Sequence, residues 1–178
     1  DNSIPIPGED TTRLGQAARE AGAYVVMGCN ELDDRPGSRT VFNTLLFLGK
    51  NGEVLGRHRK LMPTYTERLY WGQGGPDDIR VFDTEIGRIG GLICWENHMP
   101  LVRAAMIHRG EDFHIAVWPG NWRRGEDKLL DADTSPGGAS CNLQSLIRVH
   151  AFEAGAFVLS ACGVLTSEDF PERWHYIR

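Results

Sequence analysis

The stretch that decides the fold spans positions 90 to 97 and reads Gly90-Gly91-Leu92-Ile93-Cys94-Trp95-Glu96-Asn97. Residues 88–93 form a short apolar run, the pattern of a strand buried on both faces of a sheet. Asn97 is a candidate helix cap, and Pro100 suits the first turn of the helix predicted to follow. Cys94 is therefore expected at the carboxyl end of a buried strand, the place where open α/β sheets bind ligands.

Two interpretations of Cys94 follow from that position. A cysteine in an apolar run is often no more than a small buried residue. A cysteine at a strand-to-helix turn can instead be a nucleophile, because a nearby helix N-terminus stabilises its thiolate. The residues around the turn leave both interpretations open.

The remaining cysteines and histidines indicate no metal centre. The four cysteines, at positions 29, 94, 141 and 162, are widely spaced and form no CxxC pair, which argues against a zinc site or a redox dithiol. Cys29 and Cys162 are expected to fill space in the core, and a disulfide between them remains open. His150 lies on the apolar face of the last predicted helix, where a hydrogen-bonded packing role is favoured over a ligand role.

Composition limits the classes of partner. A chain of 178 residues, 41% of them hydrophobic, can bury one sizeable core, so residues 1–178 are predicted to form a single domain. The net charge of -5 argues against binding to nucleic acid or to an anionic membrane. No apolar run approaches the length of a membrane span, and no signal segment is evident. A cytoplasmic protein with a small-molecule partner fits best.

Strands and helices alternate along the chain, which predicts an α/β layered domain. The firmest local prediction is a hairpin around Gly49-Lys50-Asn51-Gly52, because Asn-Gly tolerates the positive φ angles of a tight turn. Residues 1–10 and 30–39 are predicted to be loops, and residues 121–138 a polar irregular segment. The predicted strands are 24–29, 41–48, 53–58, 79–82, 88–93, 113–118 and 156–161, and the predicted helices are 12–21, 100–109 and 143–154.

Lys60 ends a run of four basic residues at the close of the hairpin's second strand. Arg57 and Arg59 are expected to lie on a solvated strand edge. Lys60 differs, because it is the last residue before the segment 61–63 turns the chain inward. A lysine in a mainly apolar site can act as an acid with a lowered pKa, or remain a fixed cation beside an anionic intermediate.

Three blocks of sequence carry a resemblance to a known family. The blocks are Arg59-Lys60-Leu61-Met62-Pro63-Thr64, Glu67-Arg68-Leu69-Tyr70-Trp71-Gly72 and Gly91-Leu92-Ile93-Cys94-Trp95-Glu96-Asn97-His98-Met99-Pro100. Together they resemble the nitrilases of the carbon-nitrogen hydrolase superfamily, and the resemblance extends over nearly the whole chain. Trp95-Glu96 is typical of the nitrilase branch, whereas amidase branches usually carry other residues after the cysteine.

The resemblance implies a four-layer α-β-β-α sandwich and a homo-oligomer, a dimer that often extends into spirals. It also implies a Glu-Lys-Cys triad that needs no metal and no organic cofactor. Two of its members are present, with Cys94 as the nucleophile and Lys60 as the cation beside it. Glu67 matches a second glutamate that positions the lysine, and the backbone N–H of Trp95 is expected to stabilise developing charge.

The glutamate general base of the triad has no match in this chain. The family carries it upstream of the lysine in a Phe-Pro-Glu context, and Phe170-Pro171-Glu172 falls instead after the last predicted strand. The chain is therefore expected to be an internal portion of the domain, with the base before residue 1 and further strands after residue 178. Loss of a general base costs roughly 10²–10⁴-fold in rate, so this portion alone is expected to be nearly inactive.

The resemblance leads to one functional hypothesis and two alternatives. The hypothesis is hydrolysis of a small-molecule nitrile to the carboxylic acid and ammonia. The first alternative keeps the fold and changes the substrate, giving a cyanide-degrading enzyme or an aliphatic amidase. The second is a non-catalytic assembly module of the same fold. The sequence does not select which nitrile is preferred, because loops and partner subunits form the pocket walls.

Overall fold

The computed structural model describes residues 2–119 and 139–162, with side chains from residue 143 onward in the second range. Two four-stranded sheets and three α-helices make up this part of the chain. The first sheet contains β1 (Ser3–Pro5), β2 (Val25–Leu32), β3 (Val41–Leu48) and β4 (Val54–Arg59). The second contains β5 (Val81–Thr84), β6 (Gly87–Ile93), β7 (Phe113–Trp118) and β8 (Phe157–Cys162). The helices are α1 (Glu9–Ala21), α2 (Pro100–His108) and α3 (Ala139–Ala154).

Strand order follows chain order in both sheets. β2, β3 and β4 are antiparallel neighbours, and Gly52 closes the β3–β4 turn with a φ of 91°, which confirms the predicted hairpin. β6, β7 and β8 are parallel neighbours, and α2 lies between β6 and β7 in the chain. Among the described helices, none combines the length and the apolar character that crossing a bilayer requires.

The two sheets pack face to face around the main core. Leu45 and Phe47 of β3 join Ile89 and Ile93 of β6 in one buried cluster, and the Phe47 ring lies 4.7 Å from that of Phe82. On the outer side of the first sheet, Ala18 of α1 packs with Leu46 and Leu48. α2 and α3 are in mutual contact on the second sheet. The predicted α-β-β-α sandwich is therefore confirmed.

Sequence periodicity misplaced the first elements. Residues 3–5 form a strand where a loop was expected, because Ser3, Ile4 and Pro5 pair with β2 in parallel register. β2 also continues to Leu32, so the predicted loop of residues 30–39 begins later. The segment predicted to be irregular, residues 121–138, lies outside the described residues. Cys29 and Cys162 are free thiols on different sheets.

Helix α1 contacts the hairpin turn through two glycines. A Cβ on Gly15 would lie 2.3 Å from the carbonyl oxygen of Gly52. We expect Gly15→Ala to lower the free energy of unfolding by about 1–3 kcal/mol, because the helix must move off the turn. Gly28→Ala is the control, since a Cβ there meets no atom within 4 Å. Urea unfolding measures both, and equal stability of the two variants would contradict the packing argument.

Candidate active site

Cys94 ends β6 and opens the 3₁₀ turn Cys94–His98. Its φ is 55°, a left-handed conformation that costs a residue with a Cβ about 1–3 kcal/mol. The side chain is buried, at 6% exposure, and the backbone N–H of Trp95 lowers the pKa of its thiol. The turn therefore holds the thiol at the tip of a buried strand, beside a backbone donor.

Lys60 follows β4 directly and is 1% exposed. Its Nζ donates to Oε2 of Glu67 at 2.5 Å, and its backbone N–H donates to the carbonyl of Asn43 at 2.8 Å. A buried ammonium requires such a partner, because removing a charge from water costs several kcal/mol. Glu67 lies in the 3₁₀ turn Tyr65–Leu69, and the same Oε2 accepts the Thr64 N–H at 2.6 Å.

The side chain of Glu96 binds the backbone next to Lys60 and the backbone next to Cys94. Its carboxylate is fully buried and accepts the backbone N–H of Leu61 at 2.6 Å through Oε1. Oε2 accepts the backbone N–H of Ile93 at 2.8 Å and contacts Nε2 of His58 at 2.8 Å. Since β4 and β6 belong to different sheets, one side chain fixes the positions of Lys60 and Cys94 relative to each other.

His58 is the cationic partner of Glu96. Its Nδ1 lies 2.8 Å from the carbonyl oxygen of Asp78, so that nitrogen donates and Nε2 faces the carboxylate. Burial alone would lower the pKa of His58, but the hydrogen bond and negative charge of Glu96 outweigh burial and raise it. Both ring nitrogens can then donate, and the contact is a buried ion pair.

The pKa of Cys94 reflects opposing influences. Burial raises the pKa of this thiol, the positive charge of Lys60 and the N–H of Trp95 lower it, and the charges of Glu67 and Glu96 raise it. The net result is a pKa above that of a free thiol, although the expectation from sequence was a lowered one. Sequence reasoning missed the cost of burying the sulfur and the presence of two nearby carboxylates.

The arrangement brings together the four residues singled out from sequence: Cys94, Lys60, Glu67 and Trp95. The Lys60 charge reaches the sulfur and Glu67 holds the ammonium. Trp95 contributes its backbone, while its half-exposed indole stacks on the His98 ring at 4.4 Å. A buried thiol beside a fixed cation and a backbone donor can attack an electrophilic carbon and stabilise the charge that results.

Comparisons with known proteins agree with this geometry. The family model of carbon-nitrogen hydrolases matches residues 1–176. The chain belongs to the carbon-nitrogen hydrolase family. This membership and the similarity to curated nitrilases confirm the resemblance drawn from the three sequence blocks.

Two relatives and one solved structure illustrate the similarity. The chain is 42% identical to Nitrilase 2 from an unknown prokaryotic organism, over 92% of this chain and 46% of that protein. It is 39% identical to Nitrilase 2 of Arabidopsis thaliana, over 99% of this chain and 45% of that protein. The chain thus spans about half the length of the curated relatives it matches. The crystal structure of Saccharomyces cerevisiae Nit3, a member of branch 10 of the nitrilase superfamily, superposes with a TM-score of 0.72 at 19% identity, covering 94% of this chain and 55% of that one.

Several residues of the chain take roles that the sequence did not indicate. Met99, not Asn97, is the N-cap residue of α2, and the Asn97 amide instead donates to the carbonyls of Leu92 and Cys94. One feature of the sequence did single out Glu96: it is a charged residue directly after the apolar residues 92–95. The partners of that carboxylate come from another strand, so the signal alone could not assign its role.

Arg57 and Arg59 lie on β4, which is an edge strand of the first sheet as predicted, but the prediction that their side chains are solvated is wrong. Both guanidinium groups bind the fully buried carboxylate of Glu31, which lies in β2 and also accepts the Thr44 hydroxyl at 2.8 Å. These interactions join β2, β3 and β4 beside the segment that carries Lys60. The arginines are therefore part of the support for the site.

One group of described residues has donors close enough together to suggest a metal ion: Glu111, His114 and His150. Glu111 lies 2.8 Å from Nδ1 of His114 and 2.6 Å from Nε2 of His150. Two atoms bound to one zinc ion at about 2.1 Å lie roughly 3.4 Å apart in tetrahedral geometry. The observed separations are those of hydrogen bonds, as the packing role predicted for His150 requires.

The His58–Glu96 pair predicts a pH-dependent contribution to stability. A pKa raised in the folded state means that the folded protein binds the proton more tightly than the unfolded chain. The contribution is therefore complete below the ordinary histidine pKa of about 6.5 and is lost as the pH rises through the raised value. Glu96→Gln should lower the free energy of unfolding by about 3–5 kcal/mol at pH 6 and remove this pH dependence. The control is Glu85→Gln, whose exposed carboxylate pairs with Lys50 and which should cost under about 1 kcal/mol.

The opposing influences on Cys94 predict its reactivity. Because its pKa is raised, alkylation by iodoacetamide should still be accelerating above about pH 8.5, where a free thiol is half ionised. Lys60→Gln should slow alkylation at fixed pH by about tenfold or more, because the lowering effect of the ammonium is lost. Lys50→Gln is the matched control, since that lysine also pairs with a glutamate. An unchanged rate in Lys60→Gln would show that the two groups do not interact.

Proposed function

We propose that this chain carries the nucleophile and the cation of a nitrilase, an enzyme that hydrolyses a small-molecule nitrile to the carboxylic acid and ammonia. The observation that carries the proposal is the buried, left-handed Cys94, on whose thiol the Trp95 N–H and the charge of Lys60 both act. The similarity to nitrilases at about 40% identity supports it.

In the first step, the Cys94 thiol gives up its proton to a general base as its sulfur attacks the nitrile carbon. The sulfur–carbon bond forms as one C–N π bond breaks, and the electron pair moves to nitrogen. That nitrogen takes up the proton that the thiol lost, which gives a thioimidate. Lys60 and the Trp95 N–H stabilise the negative charge as it develops, in a site where buried dipoles act strongly.

In the second step, a water adds to the thioimidate carbon and ammonia leaves, so that a thioester remains. A second water then displaces Cys94, which regains its proton, and the carboxylic acid is released. Both additions require a general base. Glu96 is unsuited to this role, because both of its oxygens are engaged by Leu61, Ile93 and His58. We propose that the base is a glutamate located before residue 1.

Glu67 acts in this scheme as a positioning residue. Its Oε2 holds Nζ of Lys60 and is itself held by the N–H of Thr64. The ammonium is thereby kept beside the sulfur in a single orientation. Such fixed orientation is valuable in catalysis, since a misplacement of about 1 Å can cost about 10²-fold in rate.

The alternatives use the same nucleophile on another substrate. Hydrogen cyanide or an aliphatic amide would also react with Cys94, and the latter would reach the thioester without a thioimidate. A non-catalytic assembly module does not require a buried ammonium beside a buried thiol, so the structure favours an enzyme. Assembly into a homo-oligomer stays a prediction. The free thiols of Cys29, Cys94 and Cys162 support the further proposal of a reducing, cytoplasmic setting.

The deciding experiment compares ammonia release from organic nitriles, the corresponding amides and cyanide. It uses the full-length protein, so that the proposed base is present. We expect the nitrile to be the preferred substrate and Cys94→Ala to abolish turnover, because no covalent intermediate can form. Mass spectrometry of the quenched reaction should show an acyl adduct on the peptide that contains Cys94.

Cys29→Ala is the matched control for Cys94→Ala. Burial and the nearby charge of Glu31 raise the pKa of Cys29 to about 11, so this thiol is inert and its loss should leave turnover unchanged. Turnover of amides with inert nitriles would reject the nitrilase proposal in favour of an amidase. Full activity in Cys94→Ala would remove the enzyme proposal as written.

A further inference from the structure

The strained conformation of Cys94 requires support from its surroundings, and Asn97 provides it. A non-glycine residue at a φ of 55° persists only where neighbouring groups hold it in place. Nδ2 of Asn97 donates to the carbonyl of Cys94 at 3.0 Å and to that of Leu92 at 3.3 Å. One buried amide thus binds the backbone on both sides of Ile93, where the strand becomes the turn.

The amide of Asn97 has a single productive orientation. Its nitrogen faces two carbonyl oxygens, so its Oδ1 must point the other way, where it lies 2.9 Å from Nε2 of His114. A carbonyl oxygen accepts only, and Nε2 must therefore carry a proton. His114 thereby determines which end of the Asn97 amide faces the nucleophile turn.

A buried chain of side chains holds His114 in turn. Nδ1 of His114 lies 2.8 Å from Oε2 of Glu111, and Oε1 of Glu111 lies 2.6 Å from Nε2 of His150. All of these side chains are at most 4% exposed. They come from β7, from the residues just before it and from α3. These hydrogen bonds therefore connect Asn97 to the second sheet and to the helix that covers it.

The reaction scheme uses none of these groups, although burying so many polar atoms is costly unless they are satisfied. Nδ1 of His150 is indeed buried without a partner among the described residues. An apolar core would fill the same space at lower cost. This series of buried polar side chains therefore indicates a function for Asn97, the member that binds the carbonyl of Cys94.

We propose that Asn97 is a positioning residue for the Cys94 nucleophile, and that Glu111, His114 and His150 form the brace that orients its amide. The amide holds the turn in the conformation that directs the sulfur toward Lys60 and the Trp95 N–H. Only the turnover measurement of this proposal rests on the proposed function, because it requires a nitrile substrate. The reactivity of the thiol tests it without any substrate.

The primary test is Asn97→Leu in the full-length protein, a neutral change of similar size that removes both donated hydrogen bonds. We expect alkylation of Cys94 by iodoacetamide, followed by mass spectrometry of its peptide, to slow by about 10–100-fold at neutral pH. With a nitrile substrate, kcat should fall by a similar factor, while KM changes by less than about threefold. Asn51→Leu, on the exposed hairpin turn, is the control and should change neither quantity.

The brace is tested by two substitutions of His114. His114→Leu removes the donor to Asn97 and should slow alkylation as Asn97→Leu does. His114→Gln can still donate to Oδ1 of Asn97 through its amide nitrogen, and should recover most of the rate. His108→Gln, on α2 with the side chain not buried, controls for the chemical change and should leave the rate unaltered.

The outcomes separate this proposal from the proposed function. Normal alkylation of Cys94 in folded Asn97→Leu overturns the positioning role, whatever the substrate proves to be. Slow alkylation in that variant supports the role even if the full-length protein turns over no nitrile. If Asn97→Leu does not fold, the His114 pair decides: equal rates in His114→Leu and His114→Gln overturn the brace, and recovery in the glutamine variant supports it.

Discussion

The buried carboxylate of Glu96 is the contact on which the site depends. It binds the backbone at Leu61 and at Ile93 and pairs with His58, so it joins the end of a strand from each sheet. The apolar core between the sheets is not directional and would tolerate small shifts of one sheet over the other. Hydrogen bonds of 2.6 and 2.8 Å to two backbone donors remove that freedom at the point where Lys60 and Cys94 meet.

The charges around this contact also account for the raised pKa of Cys94, the proposed nucleophile. Lys60 and His58 supply two positive charges, and Glu67 and Glu96 balance them. The two carboxylates therefore offset part of the effect of the Lys60 charge on the Cys94 thiol. Burial then keeps the pKa of Cys94 above that of a free thiol. A neutral thiol must lose its proton as it attacks, which fits a scheme in which a further base takes part.

Local sequence predicted the elements whose signals are local. The strand that ends at Cys94, the Asn51-Gly52 turn and the helix after Pro100 each depend on periodicity, turn chemistry or capping within a few residues. Strand β1 has no such pattern and exists because β2 offers it a parallel edge. Position 31 was assigned to a loop because its partners are also distant in sequence. The arginines that pair with Glu31 lie 26 and 28 residues away along the chain.

The candidate site shows the same division. The resemblance to nitrilases singled out Cys94 and Lys60 because sequence motifs record residue type and spacing. It did not indicate the roles of Glu96, Asn97 or His114, because each of those depends on which atoms face one another after folding. Asn97 was interpreted as a helix cap, but it lies three residues before Pro100, and Met99 takes the cap position. In the folded chain the Oδ1 that a cap would use lies 2.9 Å from Nε2 of His114, and the amide nitrogen donates to the carbonyls of Leu92 and Cys94.

These partners of Asn97 explain how the strained conformation of Cys94 is maintained. A side-chain cap at the start of α2 would be worth about 1 kcal/mol, whereas the left-handed Cys94 costs about 1–3 kcal/mol. Two hydrogen bonds from one amide, each contributing roughly 0.5–1.5 kcal/mol, are enough to offset the strain. The helix gives up a cap and begins instead at Pro100, a residue whose missing N–H needs no partner there. The start of α2 therefore makes no use of the Asn97 side chain, and that amide holds the turn at Cys94 instead.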